Sequence, residues 1–303
     1  MNIHFENVNT NSNSGPNSFA SKLIKYMKRR GHSFDVGKKA DIDLCFIESF
    51  KMKHHNPMVL RLDGIYFNTM QDYNFQNKNI RLSYERADGV IIQSEFDKEL
   101  IFKYFGEHRN AIVIRNGADT DLIGEIEPAP NDKFDKVWSC ASAWRPHKRL
   151  DENIRYFKEH AGKNDCLFVA GKTPENYQKN QDERVFYIGE LGVDSLYKLY
   201  KTSDYFLHLA WLDHCPNVVV DARAAGCKII CSSAGGTKEV AGKDAIVIKE
   251  QEWDFEPVEL YNPPKLDFSN KIGNEYNDKG RMQEVAEKYE DFLIGTKRKL
   301  DHR

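Results

Sequence analysis

The chain has 303 residues, more than one ordinary domain holds and comfortable for two of about 150. Its 40% hydrophobic and 30% charged residues describe a globular protein rather than a disordered one, and no apolar run reaches the roughly 18–20 residues of a membrane span. A net charge of −2 gives no global electrostatic reason to bind nucleic acid.

The opening "MNIHFENVNTNSNSG" lacks the basic-then-apolar layout of a secretory leader. Six cysteines show neither a CxxC pair nor a metal spacing, and most fall in apolar runs, so buried thiols in a reducing cytoplasm are expected. "NIHF" (2–5) reads as a strand, followed by the polar loop "ENVNTNSNSGPNS". "FASKLIKYMKRRG" (19–31) places Phe19, Leu23, Ile24 and Met27 on one helical face and ends on Gly31. "DLCFIES" (43–49), "MVLRLD" (58–63) and "GVIIQS" (89–94) read as strands. "EFDKELIFKYFG" (95–106) is a helix leading to the strand "AIVIRN" (111–116). The segment "EPAPNDKFD" (127–135), with two prolines, reads as a linker.

The same grammar then starts again. "KVWSCASAW" (136–144) and "CLFVAG" (166–171) are strands on either side of a helix at about 149–161. "VFYIGEL" (185–191), "YFLHLAW" (205–211), "KIICSS" (228–233) and "AIVI" (245–248) continue the sheet, and "YNDKGRMQEVAEKYEDFLIGTKRKL" closes the chain as a charged amphipathic helix. Strands alternating with helix-length stretches predict two doubly wound α/β domains. In such sheets ligands bind outside the carboxyl ends of the strands, and two domains facing one another make a cleft. The predicted division is a first domain at 1–127, a linker at 128–135, a second domain at 136–272 and a terminal helix at 273–303 that packs back toward the first.

The most informative stretch is "DHCPNVVVD" (213–221). Asp213 follows a predicted strand, and Pro216 or Asn217 suits a helix start. The first turn of that helix offers amide N–H groups and the positive end of the dipole, a natural anion site. Asp221 falls one turn further in, about 6 Å along the axis. Two carboxylates flanking an anion site fit a molecule with a pyrophosphate at its centre and hydroxylated sugars at both ends, a nucleotide sugar. The plainer alternative is that Asp213 caps the helix and Asp221 faces solvent. Arg145, Lys148 and Arg149 in "SAWRPHKRLD" stand just past a strand end, suited to a diphosphate, or else form a basic surface turn. Gly235 and Gly236 in "SSAGGTKEV" allow close backbone approach to a ligand, as they would in an ordinary turn.

In this order the motifs resemble the retaining glycosyltransferases of family 4 (glycosyl transferases group 1), which share the GT-B fold of two Rossmann-like domains facing across a cleft. That family carries an acidic pair, E-x7-E, then Gly, an apolar strand and S-x-x-G-G-x-x-E. Here the run is Asp213, "HCPNVVV", Asp221, "ARAAG", "CKIIC" and "SSAGGTKEV". "GPNSFASKLIKYMKRRGHSF", "ADGVIIQSEFDKELI", "VIRNGADTDLI", "KVWSCASAWRPHKRLD" and "VFYIGEL" extend the likeness over nearly the whole chain. Three features depart from the family pattern: both acids are aspartates, Ala143 stands where the family has an arginine, and no His-Asp pair appears at "RLDG".

The resemblance implies transfer of a sugar from a nucleotide-diphosphate donor, a UDP-sugar foremost, to an acceptor hydroxyl with anomeric retention and without cofactor or metal. It would place Asp213 near the transferred sugar, Arg145 and Lys148 at the leaving diphosphate, and Asp63 toward the reacting carbon. Asp221 would bind the ribose, the amides of Asn217 and Val218 the phosphates, and Gly189, Glu190 and Leu191 the base. Gly15, Asn116, Arg149, His214 and Gly235 complete the implied donor set. The leading acceptor is a glycan or lipid-linked saccharide, with peripheral membrane contact through the basic helix at 25–32. Hydroxymethylated viral DNA, met by the clusters at 25–32 and 51–55, and a nucleotide-sugar-binding protein without turnover are the alternatives, with an epimerase or phosphorylase on the same fold behind them. "DID" (41–43) imitates a metal-binding DxD but stands at the amino end of a strand, and His54 and His55 show no ligand spacing.

Overall fold

The computed structural model describes residues 1–12, 14–34 and 40–301. Asn13 of the polar loop and the last two residues of the terminal basic cluster lie outside the described residues. The chain forms two units. One comprises Met1–Gly117, Phe255–Val258 and Gly280–Arg303, and the other Ala118–Asp254 with Glu259–Lys279. Both are α/β, each built on its own mainly parallel sheet. Among the described residues no helix is long and apolar enough to cross a membrane.

In the first unit the strands are β1 (Asn2–Glu6), β2 (Ser33–Phe34), β3 (Ile42–Phe46), β4 (Met58–Leu62), β5 (Gly89–Ile92) and β6 (Ala111–Val113). They pair in the order β2-β1-β3-β4-β5-β6, all parallel. Helix α1 (Gly15–Arg29) lays Phe19, Leu23, Tyr26 and Met27 on the face formed by Ile3, Ile42, Leu44 and Phe46. Ile24, expected on that stripe, is only half buried, and Tyr26 takes its place because it lies a full two turns from Phe19. Helices α2 (Tyr73–Arg86) and α3 (Glu95–Phe105) follow. Asp72 caps α2 by accepting from the Phe75 amide, and Ser94 caps α3 by accepting from the Asp97 amide.

The second unit holds α4 (Thr120–Glu125), β7 (Val137–Ala141), α5 (Leu150–His160), β8 (Cys166–Ala170), β9 (Val185–Gly189), α6 (Val193–Thr202) and β10 (Tyr205–His208). It continues through α7 (Asn217–Ala224), β11 (Lys228–Ser232), α8 (Lys238–Ala241), β12 (Ile246–Ile248) and β13 (Lys271–Ile272). The order is β13-β12-β11-β10-β7-β8-β9, parallel except for the β12–β13 pair. Both faces are covered, so adjacent strand residues enter different cores. Phe206 joins Ile229 and Val247 on one face, while Leu207 joins Trp138 and Ile230 on the other. All six cysteines are buried free thiols, and burial pushes those of Cys166, Cys227 and Cys231 up to about 12.

The division differs from the predicted one. It falls after Gly117 rather than in the proline segment, because α4 buries Ile123 with Ala118 in the second unit's core. The chain also returns to the first unit twice. Val258 exchanges backbone hydrogen bonds beside Asn68, with its amide on Phe67 O at 3.0 Å and Thr69 N on its carbonyl at 2.9 Å. Residues up to 279 stay with the second unit, where Asn274 Nδ2 donates to Lys238 O at 2.8 Å. Helix α9 (Met282–Asp301) then packs on α1 through Met282, Val285, Ala286, Tyr289 and Leu293, an apolar stripe at helical spacing. Leu293 is fully buried there. Leu293→Ala should therefore cost the first unit about 2–5 kcal/mol, read as a lowered urea midpoint at unchanged slope.

Candidate functional site

Strand β10 ends at His208, and the next five residues carry the backbone to Asp213, which forms an isolated parallel bridge with Gly235. Gly235 has φ +92°, and a Cβ there would meet Asp213 O at 2.6 Å, so only glycine fits. Gly236 N donates to the same carbonyl at 2.8 Å. Leu212, just before Asp213, adopts φ +53°, a left-handed backbone for a branched side chain. Arg149 adopts φ +52°. Such strain persists only where surrounding contacts impose it, and it gathers at working sites.

Asp213 is 9% exposed, and both oxygens of its carboxylate are hydrogen-bonded. Lys148 Nζ donates to Oδ2 at 2.6 Å, His208 Nε2 donates to Oδ2 at 2.7 Å, and the His214 amide donates to Oδ1 at 3.0 Å. Burial by itself would raise this carboxyl. The Lys148 charge and the His208 hydrogen bond prevail and hold it well below the usual carboxylate range. Burial pushes His208 down from its ordinary value, so its ring is neutral near pH 7 and carries its proton on Nε2. The site thus contains one fixed cation and one fixed anion.

Lys148 is held in place by its backbone. It closes a 3-10 turn, Pro146–Lys148, in which its amide donates to Arg145 O at 2.8 Å. Asn153 spans from that turn to the end of β10, donating to Arg149 O at 2.8 Å and accepting from Leu209 N at 3.2 Å. Trp211 N donates to His147 O at 2.8 Å. Two links from different elements therefore set the reach of Lys148 to Asp213.

The predicted residues separate into those that gather here and those that do not. Arg145 is exposed at the start of the 3-10 turn. Asn217 and Val218 open α7 behind Pro216, whose side chain provides no cap. Asp221 is 6% exposed, which removes the solvent-facing alternative. Its charge, after burial itself, pushes the Tyr200 phenol well up. Asp213 is not the helix cap either, since Pro216 holds that position. Gly189, Glu190 and Leu191 lie at and just beyond the carboxyl end of β9, Gly189 with φ +73°.

Arg149 does not belong to a ligand surface. It is 4% exposed and turns inward, pairing through both terminal nitrogens with Glu250 at 2.9 and 2.7 Å. It also donates to Leu209 O at 3.2 Å and Pro264 O at 2.7 Å. Its left-handed backbone at the start of α5 points the side chain away from Lys148. The guanidinium is a strut under the site. His208, Asn153 and Glu250 were not singled out from sequence. The one available signal was a histidine closing a buried strand five residues ahead of the acid.

Gly15, Asp63 and Asn116 belong to the first unit. Gly15 begins α1 and is exposed. Asp63 and Asn116 meet on one buried guanidinium: Arg61 donates from Nη1 to Asp63 and from Nη2 to Asn116 Oδ1 at 2.9 Å. Gln93 joins them, accepting from Asn116 Nδ2 at 3.2 Å, so the carboxyl ends of β4, β5 and β6 share one polar network. Arg61 is 1% exposed and lies 4.4 Å from the centre of the Phe19 ring.

Residues 135–256 match the family model for glycosyl transferases group 1, a span that holds Arg145, Lys148, His208, Asp213, Asp221 and Gly235. No curated protein matches the sequence. Among solved structures, the chain is similar to HepE from Anabaena in complex with UDP-glucose, at 15% identity and TM-score 0.62 over 100% of each chain. It is similar to sucrose-phosphate synthase from Thermosynechococcus elongatus, at 10% identity and TM-score 0.65 over 100% of this chain and 98% of that one. It is also similar to WaaG, a glycosyltransferase involved in lipopolysaccharide biosynthesis, at 12% identity and TM-score 0.61 over 100% and 94%. At these identities the likeness establishes the fold, which is GT-B.

The site's ionisation gives a pH signature. Burial first, and the Lys148 charge second, push His147 from 6.5 down to about 3, while its ring stacks on Tyr261 at 5.6 Å. Below about pH 6.5 the unfolded chain takes up a proton that the folded ring refuses, so stability falls as pH drops, by about 1.4 kcal/mol per unit. His208 acts with the same sign. Asp213, with a lowered value, keeps its contribution down to about pH 4 and loses it only below. His147→Phe, which keeps the stack, should remove about 2 kcal/mol of the stability lost between pH 7 and pH 5, measured by urea unfolding at each pH.

Proposed function

We propose that the protein is a glycosyltransferase that moves a sugar from a nucleotide-diphosphate donor, foremost a UDP-sugar, to an acceptor hydroxyl with retention at the anomeric carbon. The observation that carries this reading is the fixed Asp213 carboxylate. It lies between Lys148 and His208, against the Gly235 backbone and directly ahead of the start of α7. The group 1 family match over residues 135–256 supports it, as does likeness to a protein crystallised with UDP-glucose.

In this reading the diphosphate lies at the opening turn of α7, where the amides of Asn217 and Val218 meet it. The Lys148 ammonium has three N–H donors and gives one to Asp213, which leaves the others for a phosphate oxygen. Arg145, exposed at the rim, adds a second cation. Charge grows on the diphosphate as the glycosidic bond breaks, and a prepositioned cation and amides stabilise it without reorganising. Asp213, kept anionic, accepts from sugar hydroxyls. Asp221, deeper in the same helix, accepts from the ribose. Retention rests on the resemblance of Asp213-x7-Asp221 to the acidic pair of retaining enzymes, and it implies same-face attack with the leaving phosphate taking the acceptor's proton.

A glycan or lipid-linked saccharide is the acceptor we favour. The DNA alternative loses support from the basic clusters themselves. Arg30 and His32 pair with Glu290, Lys51 with Glu6 and His54 with Asp43, so part of the positive charge is already neutralised.

The test is a thermal-shift screen with UDP, GDP, ADP and TDP, followed by turnover with the matching nucleotide sugars. One nucleotide at a hundredfold excess over its Kd should stabilise the wild type by about 2.7 kcal/mol, and Asp221→Asn should lose that shift. Lys148→Ala should lower kcat about 10²–10³-fold, and the product anomer, read by NMR, should match the donor's. A folded wild type that responds to none of the nucleotides sinks the donor site. Binding without transfer or donor hydrolysis favours the non-catalytic reading.

A further inference from the structure

The first unit's sheet carries a second polar constellation, on the face opposite α1. In β1, Ile3 and Phe5 pack into the core, so His4 and Glu6 point the other way. In β3, Ile42, Leu44 and Phe46 are core, so Asp43 and Cys45 share the face of His4 and Glu6. The register sets His4 beside Asp43 and Glu6 beside Cys45. Parallel strands covered on both faces normally read as continuous apolar runs, and a departure from that rule points to a function.

We propose that His4, Glu6, Asp43 and His54 form a binding site for one divalent transition-metal ion of the zinc class. Donor atoms of His4, Glu6 and Asp43 all lie within 4.8 Å of one another. His4 Nδ1 is 3.2 Å from Asp43 Oδ1, and His54 Nδ1 is 2.7 Å from Asp43 Oδ2 and 3.9 Å from Glu6 Oε2. Neighbouring ligands on a tetrahedral ion at about 2.0–2.2 Å stand roughly 3.4 Å apart, so His4, Glu6 and Asp43 form the compact core of the site, and His54, which stands outside that 4.8 Å set, joins it as the fourth ligand by a side-chain adjustment. Two imidazole nitrogens and two carboxylates suit zinc or cobalt, whereas magnesium and calcium favour all-oxygen sets.

The surroundings fit such a site. Metal-bound histidines have their other ring nitrogen fixed by a polar partner, and bound carboxylates are themselves hydrogen-bonded. Ser49 Oγ lies 2.9 Å from His54 Nε2 and donates to Glu6 Oε1, and Asn56 Nδ2 donates to Asp43 Oδ1 at 2.8 Å. Ser49 is fully buried and anchored to α2, its amide donating to Ser83 Oγ at 2.9 Å. Among the described residues Lys51 pairs with Glu6, 2.6 Å from Oε2, on a side chain 42% exposed that can swing outward as an ion enters. The two carboxylates, 12% and 3% exposed, otherwise combine two negative charges where water is scarce. A bound ion would clamp β1, β3 and the segment at 47–57.

The test uses the full chain, stripped with chelator and titrated with Co²⁺. The wild type should take up one equivalent with the visible bands of a tetrahedral site, and Zn²⁺ should displace it. In competition titrations Ser49→Ala should weaken Zn²⁺ by about 10–100-fold, and His4→Gln should weaken it further. His4 is on a strand near the sheet edge and partly exposed, so this variant keeps the proposal falsifiable should Asp43→Asn fail to fold. No visible cobalt bands in the wild type, or a Zn²⁺ isotherm unchanged by His4→Gln, would overturn the proposal.

Discussion

The candidate site depends on keeping one carboxylate ionised where water is nearly absent. Burying the Asp213 anion alone would cost several kcal/mol, and the group would take up a proton instead. Lys148 and His208 prevent this together, and they act differently. Lys148 supplies the opposite charge. Neutral His208 supplies a hydrogen bond that is stronger to the anion than to the protonated acid. The surrounding structure serves this pairing: the 3-10 turn delivers Lys148, Asn153 ties that turn to β10, and Gly235 admits the Asp213 backbone.

The same arithmetic explains Arg149, which adjoins Lys148 in sequence and does opposite work. A guanidinium that pairs both terminal nitrogens with one carboxylate and reaches two carbonyls is a rigid cross-brace. It links the start of α5, the segment after β10 and the chain beyond β12. Position 149 accepts the left-handed backbone that divides the two roles, one basic residue facing out and the next facing in. Arg61 plays the equivalent part in the first unit, tying Asp63, Gln93 and Asn116 across three strand ends.

Much of the fold was legible because parallel strands covered on both faces announce themselves as short apolar runs, and each expected run corresponds to a strand. Helix α1 was legible from its period. Helix α2 was not, because its sequence "YNFQNKNIRLSYER" buries little beyond Ile80, Ser83 and Tyr84 and carries no clear stripe. The boundary was misplaced because two prolines mark a loop, whereas membership of a core is decided by what Ile123 touches, and that is not a local property. The return of residues 255–258 to the first unit rests on backbone pairing with residues 67–69, for which sequence gives no sign. Asp213, Lys148 and Gly235, which the structure brings together, stand out in the sequence by residue type and order. Which of three basic residues turns inward was not legible, because one backbone angle decides it.

The two polar constellations differ in where they stand on their sheets, and that difference separates their chemistry. Asp213 lies beyond a strand's carboxyl end, ahead of a helix start, where doubly wound sheets bind their ligands. Asp43 lies inside a strand, flanked by its neighbours at fixed register. A site between strands selects by donor type and spacing. A site past the strand ends selects by shape and charge along an extended molecule.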